Sequence, residues 1–137
     1  MTLTVQHVPQ HFVAQTWPLV EEHIASANKY GGGDYTLDQI KMYAAQGQWV
    51  LLVATDKDNK VHGAATVSFL NYPNDRVAFV TAIGGKLISN DETFEQLKTV
   101  LRNMGATKIQ GAAREAVARL WKRYGFIERY VVVEVKI

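Results

Sequence analysis

The sequence predicts a single α/β domain. Its central sheet is mixed, with helices on both faces, and the elements run β-α-α-β-β-β-α-β-α-β. Three observations predict it. Apolar residues recur with strand patterning in six short stretches and with helical spacing in four others. Polar turns join the three middle strand stretches, which makes them hairpins. Helical stretches then separate the last strands, as crossover connections do. The 137 residues match the length of one domain, so residues 1–137 are taken as a unit.

The first strand is Leu3 to Val8, stopped by Pro9. Phe12, Val13, Trp17, Val20, Ile24 and Ala27 then form a helical stripe. Pro18 interrupts it, so either Thr16 caps a helix with Pro18 in its first turn or the helix is kinked there. The run Gly31-Gly32-Gly33 stops this helix. Thr36 with Gln39 three residues on is a capping box, and Leu37, Ile40 and Ala44 share one face of the helix it starts. Gly47 ends it. Trp49 to Ala54 is a continuous apolar run, the mark of a central strand. The polar turn 56–60 leads into the returning strand Val61 to Leu70, where Gly63 marks a bulge or a close backbone approach. After the turn 71–75 comes the strand Arg76 to Ile83, ended by Gly84-Gly85.

Ser89 and Glu92 pair as a cap, and Phe94, Leu97, Leu101 and Met104 repeat at helical steps until Gly105 closes the helix. Lys108 to Ala112 is a short strand. Ala113 to Tyr124 is an amphipathic helix closed by Gly125. Tyr130 to Ile137 is a last strand with Val131, Val133, Val135 and Ile137 on one face.

Composition removes several classes of function. There is no cysteine, which excludes disulfides, thiolate catalysis and zinc-thiolate centres. None of the four histidines, His7, His11, His23 and His62, forms a pair with zinc-binding helical spacing next to a glutamate, so no metal is expected. The start Met1 to His7 lacks a signal-peptide pattern and no apolar run is long enough to span a bilayer, which points to a cytoplasmic protein with no membrane partner. Charge is uneven. Residues 1–75 hold 4 Lys and 7 acids, whereas residues 76–137 hold 11 Lys and Arg and 6 acids. The basic half either attracts a phosphate-bearing ligand or is a solvated surface. Arg119, Lys122 and Arg123 share a helix face beside Trp121 and Tyr124, yet no nucleic-acid motif accompanies them.

Gly84-Gly85-Lys86 is the phosphate candidate, because glycines let backbone amides converge and the lysine adds charge. Arg114 begins a helix after a strand, where crevices often hold ligands.

The element order, the hairpin Trp49–Asp56 with Lys60–Val67, the strand Arg76–Ile83 and the helix Arg114–Tyr124 with its Gly125-Phe126 ending together resemble the GNAT superfamily of acyl-CoA N-acyltransferases. The small GNAT-like proteins of tailed bacteriophages are the nearest likeness. The resemblance implies acetyl-CoA as cosubstrate, an amine acceptor, and pairing of the pantetheine arm with the backbone of Val80, Thr81 and Ala82. It implies that Gly84, Gly85 and Lys86 hold the pyrophosphate, with Arg114 nearby. In many such enzymes a tyrosine four residues before the Gly-Phe step is the general acid. Trp121 occupies that position here, and Tyr124 is the tyrosine of this helix. His62 is the candidate base, or else a hydrogen-bonded strand histidine. Asp34, Tyr35 and Tyr72 are candidates for the acceptor wall. The loop lacks the spacing of the family's pyrophosphate motif, and Asp91 and Glu92 put two carboxylates at the next helix start. Two functions follow: acetyl transfer from acetyl-CoA to an amine, or a catalytically inactive GNAT-shaped structural or interaction protein. If phage-encoded, it would act in the host cytoplasm or the virion, with a protein partner.

Overall fold

The computed structural model describes residues 1–29 and 33–137. Gly31 and Gly32 of the predicted helix stop lie outside the described residues. Five strands form one sheet in the order β1-β2-β3-β4-β5: β1 Thr4–Val8, β2 Val50–Thr55, β3 Val61–Asn71, β4 Arg76–Gly85 and β5 Lys108–Gly111. The first four are antiparallel neighbours, and β5 runs parallel to β4. Four helices join them: α1 Val13–Asn28, α2 Leu37–Ala45, α3 Asp91–Asn103 and α4 Glu115–Trp121.

Alternation along the strands builds two cores. On one face Leu51 and Val53 of β2 meet Trp17, Val20 and Ile24 of α1 and Ile40 of α2. On the other, Leu52 and Ala54 meet Phe94, Leu97 and Leu101 of α3. Both faces are covered, which is why β2 reads as an unbroken apolar run. The edge strand β1 is secured by α3. Gln96 accepts a hydrogen bond from the Val5 N–H at 2.8 Å and donates one to the Leu3 carbonyl at 3.0 Å.

The capping box of α2 is complete, with Thr36 accepting from the Gln39 N–H and the Gln39 side chain from the Thr36 N–H. Four expectations need correction. Of the two readings of Pro18, the Thr16 cap falls: α1 begins at Val13 after a 3-10 turn over Gln10–Phe12 and holds Pro18 inside, as the other reading requires. Asn90 rather than Ser89 caps α3, because the Thr93 hydroxyl does the return bonding expected of Glu92. α4 begins at Glu115, after Arg114, instead of at Ala113. The fourth concerns Tyr130–Ile137. This segment forms no strand and its side chains are exposed, because no neighbouring strand pairs with it.

The glycine pair also behaves differently from a strand stop. Gly84 and Gly85 continue β4, paired with Ala64 and Gly63 of β3. A Cβ on Gly84 would strike the His23 carbonyl of α1, so the missing side chain lets the helix backbone lie against the strand. Gly63 serves likewise: a Cβ there would fall 2.6 Å from the Leu87 N and 2.7 Å from the Lys86 N. The bulge expected near it is present, with His62 as the extra residue between the Ala54↔Gly63 and Thr55↔Val61 pairs.

Gly84→Ala is therefore expected to destabilise the fold by about 1–3 kcal/mol, the ordinary range for overpacking against atoms that cannot rotate away. Urea unfolding followed by circular dichroism measures it, and an unchanged midpoint would show that α1 does not press on β4.

Candidate functional site

The site arises from a mismatch in strand length. β4 and β5 pair from Val77↔Lys108 to Val80↔Gly111. There β5 ends and the chain turns away through Ala112 and Ala113 into α4. β4 continues to Gly85 paired with β3, and among the described residues no strand lies beside its outer edge from Thr81 onward.

A bulge marks the same point. Thr66 opposes Ala82 and Val67 opposes Val80, so Thr81 is the extra residue. Its hydroxyl donates to the Thr66 carbonyl at 3.0 Å and lies 2.8 Å from the buried Thr66 hydroxyl. Bulges bend and twist the strand that carries them. This one sits where β4 parts from β5.

A cavity of about 380 Å³ fills the gap. One wall is β4 from Val80 to Gly85. Ser26, Ala27 and Asn28 at the end of α1 form another, and Ala112, Ala113, Arg114, Val117 and Trp121 close the far side. Trp121 is buried and lies across the end of β5, where a Cβ on Gly111 would sit 3.0 Å from its ring. Among the described residues lining the cavity, Arg114 is the one charged side chain and none is Asp, Glu, His or Tyr. The Thr81 hydroxyl is committed to Thr66, and the Asn28 amide donates to the Tyr35 carbonyl at 3.0 Å. Recognition in this cavity falls mainly to unpaired strand backbone, apolar surface and one guanidinium.

Of the residues singled out in the sequence, Val80, Thr81, Ala82, Gly84, Gly85 and Arg114 line this cavity together. Lys86, His62 and Tyr124 are not among its lining. Lys86 is exposed, and its N–H turns back to the His62 carbonyl at 2.8 Å. The Tyr124 ring packs on Phe94 with centroids 5.2 Å apart, in a separate groove between α3 and β5. Tyr35 stands edge-on to Trp49 at 4.8 Å, as a core aromatic. Arg119, Lys122 and Arg123 are exposed, with Lys122 paired to Glu128 at 3.2 Å. The walls that sequence reasoning missed are Ser26, Ala27 and Asn28. Their one signal is a run of small residues at the end of a helical stripe.

The start of α3 is occupied by its own side chains. Asn90 takes the Thr93 N–H at 2.9 Å, and the Thr93 hydroxyl takes the N–H groups of Ser89 and Asn90. Asp91 and Glu92 sit in the first turn. Asn90 and Thr93 thus take the N–H groups of Ser89, Asn90 and Thr93, and the two carboxylates set negative charge where an anion would approach the helix end.

His62 has a partner elsewhere. Its Nε2 lies 2.8 Å from Asp56 Oδ2, with the two side chains 17% and 14% exposed. Asp56 also accepts from the N–H groups of Asp58 at 2.8 Å and Lys60 at 3.0 Å, so one carboxylate organises the whole β2–β3 turn. The His62 imidazole first, then the Lys60 N–H, hold its carboxyl below the usual 3.8. No group of three His, Cys, Asp or Glu able to hold a metal occurs among the described residues. Among the described residues no helix is long and apolar enough to cross a membrane.

No protein-family profile and no curated protein matches the chain. Solved structures do. An aminoglycoside acetyltransferase from an uncultured soil metagenomic sample is 16% identical, covers 100% of this chain and 99% of its own, and superposes with a TM-score of 0.67. A second soil metagenomic aminoglycoside acetyltransferase, in complex with sisomicin, is 11% identical over 98% of this chain and 96% of its own, with a TM-score of 0.69. A predicted acetyltransferase from Clostridium acetobutylicum, solved with acetyl-CoA, is 13% identical over 98% and 96%, with a TM-score of 0.66. At these identities the likeness is one of fold: the chain has the mixed-sheet GNAT acetyltransferase fold.

The Asp56–His62 pair generates a pH dependence. A carboxyl with a depressed native pKa adds stability above its unfolded value, and that stability is lost as pH falls through the native one. Asp56→Asn is expected to lower the urea midpoint at about pH 7 and to narrow the difference between about pH 7 and about pH 3. An acid limb identical to the parent's would show that the pair carries no stability.

Proposed function

We propose that the chain is an N-acyltransferase that takes an acetyl group from acetyl-CoA and passes it to an amine. One observation carries this reading above the others: among the described residues, the outer edge of β4 beyond Val80 is unpaired and opens on a cavity. An extended, amide-bearing molecule can add to such an edge as a strand would, and the pantetheine arm of coenzyme A is one. The similar structures support the choice, since one was solved with acetyl-CoA.

In this reading the backbone of Val80, Thr81 and Ala82 aligns the thioester. Gly84 and Gly85 carry the β4 backbone on along the cavity wall, and Arg114 faces the phosphates of the cofactor. The amine nitrogen attacks the thioester carbonyl, the C–N bond forms, the C–S bond breaks and the coenzyme leaves as a thiol once the amine proton reaches it. The described lining holds no acid or base, so orientation and oxyanion stabilisation by strand amides supply the acceleration. Proton transfer then runs through water. His62 and Tyr124 act as structural residues, one locking a turn and the other packing on Phe94. A polycationic acceptor such as sisomicin, the ligand of one similar structure, would meet no carboxylate among the described lining residues. An acceptor of lower charge suits this site better.

The self-capped start of α3 favours a second reading, a GNAT-shaped interaction protein without chemistry. Ser89, Asn90 and Thr93 have spent their N–H groups internally, and Asp91 and Glu92 repel an approaching pyrophosphate. The bacteriophage likeness rests on the sequence resemblance alone.

Isothermal titration calorimetry separates the two readings. Acetyl-CoA is expected to bind the parent with a Kd of about 1 mM or tighter, and Arg114→Glu to weaken binding at least tenfold, about 1.4 kcal/mol. Asp91→Asn with Glu92→Gln is expected to tighten it. No heat from the parent at millimolar acetyl-CoA would remove the enzyme reading.

A further inference from the structure

Two voids meet at one side chain. The cavity beside β4 and a second groove of about 390 Å³ share Ala112, Ala113 and Trp121. Past these three, the groove runs against Phe79, Ala118 and Phe126. Its one carboxylate among the described lining, Glu128, is paired with Lys122 at 3.2 Å. The groove therefore offers mainly hydrocarbon. Ala112 and Ala113 present only methyl groups, so the partition between the two voids has the thickness of the Trp121 indole.

The indole is held from two sides. Phe126 packs on it with ring centroids 5.2 Å apart and planes inclined by 37°. Gly111 lies against it: a Cβ there would sit 3.0 Å from Cζ3 and 3.3 Å from Cη2. Trp121 is 8% exposed. A ring packed this closely stays in place when a ligand enters beside it.

Its place matters if the proposed function holds, and the inference rests on that reading. With the thioester aligned by Val80, Thr81 and Ala82 and the phosphates toward Gly85 and Arg114, the acyl end points back along β4 to Val80. Val80 pairs with Gly111, the last residue of β5, and Trp121 lies over Gly111.

We propose that Trp121 determines acyl-chain specificity: an acetyl group fits in front of the indole, and a longer chain needs the space that the indole fills. Removing the ring joins the cavity to the groove, whose apolar walls then cover the added methylenes. Rejection by the parent is steric, since a fixed wall discriminates against the longer group without any contact that favours the shorter one.

Isothermal titration with acetyl-CoA and hexanoyl-CoA tests this. The parent is expected to bind hexanoyl-CoA at least tenfold more weakly than acetyl-CoA, and Trp121→Ala to bind hexanoyl-CoA at least as tightly as acetyl-CoA. Circular dichroism checks that the variant is folded. If Trp121→Ala does not fold, Trp121→Phe decides, with the tenfold preference expected to shrink at least threefold. A preference unchanged in a folded variant overturns the proposal. A parent that binds both ligands equally overturns it too and leaves the acyltransferase reading standing, whereas a parent that binds neither removes both. Fluorescence supplies a second readout. The other two tryptophans, Trp17 and Trp49, are buried in the core with α1 and α2 and do not line the cavity. Saturating acetyl-CoA is expected to change the tryptophan emission of the parent and not that of Trp121→Phe. Binding to the parent without a change in emission overturns the proposal.

Discussion

The hydroxyl of Thr81, held to the Thr66 carbonyl inside β3, is the contact on which the candidate site depends. It anchors one extra residue in β4, and the bulge sits at the point where β5 stops accompanying it. Without the extra residue, side chains beyond Thr81 would exchange faces, and Ala82 would leave the core it shares with Ile24 and Val53. One hydrogen-bonded threonine pair thus sets two things together: which residues are buried under α1, and where an edge of backbone is left unpaired beside a cavity. Both partners are neutral; Thr66 is fully buried, and Thr81 is half-buried at the cavity wall.

The second constraint is distance between backbones. α1 crosses β4 at Gly84, close enough that the His23 carbonyl occupies the place of a side chain. This approach brings Ser26, Ala27 and Asn28 to the cavity mouth. Small residues recur wherever elements converge: Gly63 under Lys86 and Leu87, Gly111 under Trp121, Ala112 and Ala113 at the turn. The absence of a Cβ at Gly84 is already used to admit a helix. That is why a glycine pair is an ambiguous signal for a phosphate site.

Much of the fold was legible in the sequence because its signals are local. The Thr36–Gln39 box, the apolar run of β2 and the helical steps of α3 each lie within a few residues, and all stand where expected. What misled was also local. Asn90 and Thr93 close a box as well as Ser89 and Glu92 would, and the first pair won by one residue. Glycines at 84 and 85 look like a stop until β3 is laid beside them. The valines after Tyr130 have every local mark of a strand, but a strand's hydrogen bonds belong to its neighbour, and the described chain supplies none there. The candidate site was half legible. Gly84, Gly85 and Arg114 drew notice through their own chemistry, and Val80 to Ala82 only through a family likeness. Ser26 and Asn28 come from more than fifty residues upstream and had no reason to be joined to β4 before the sheet was folded.

The Gln96 amide, by contrast, limits what the sheet can become. A sheet open on both sides can be extended from either end, copy after copy, and the product is a fibre. Gln96 fills the bonding positions of Leu3 and Val5, so growth past β1 would first have to displace a side chain already in place. A glutamine on the third helix thus guards the start of that border, its amide standing in for the strand that would otherwise dock there.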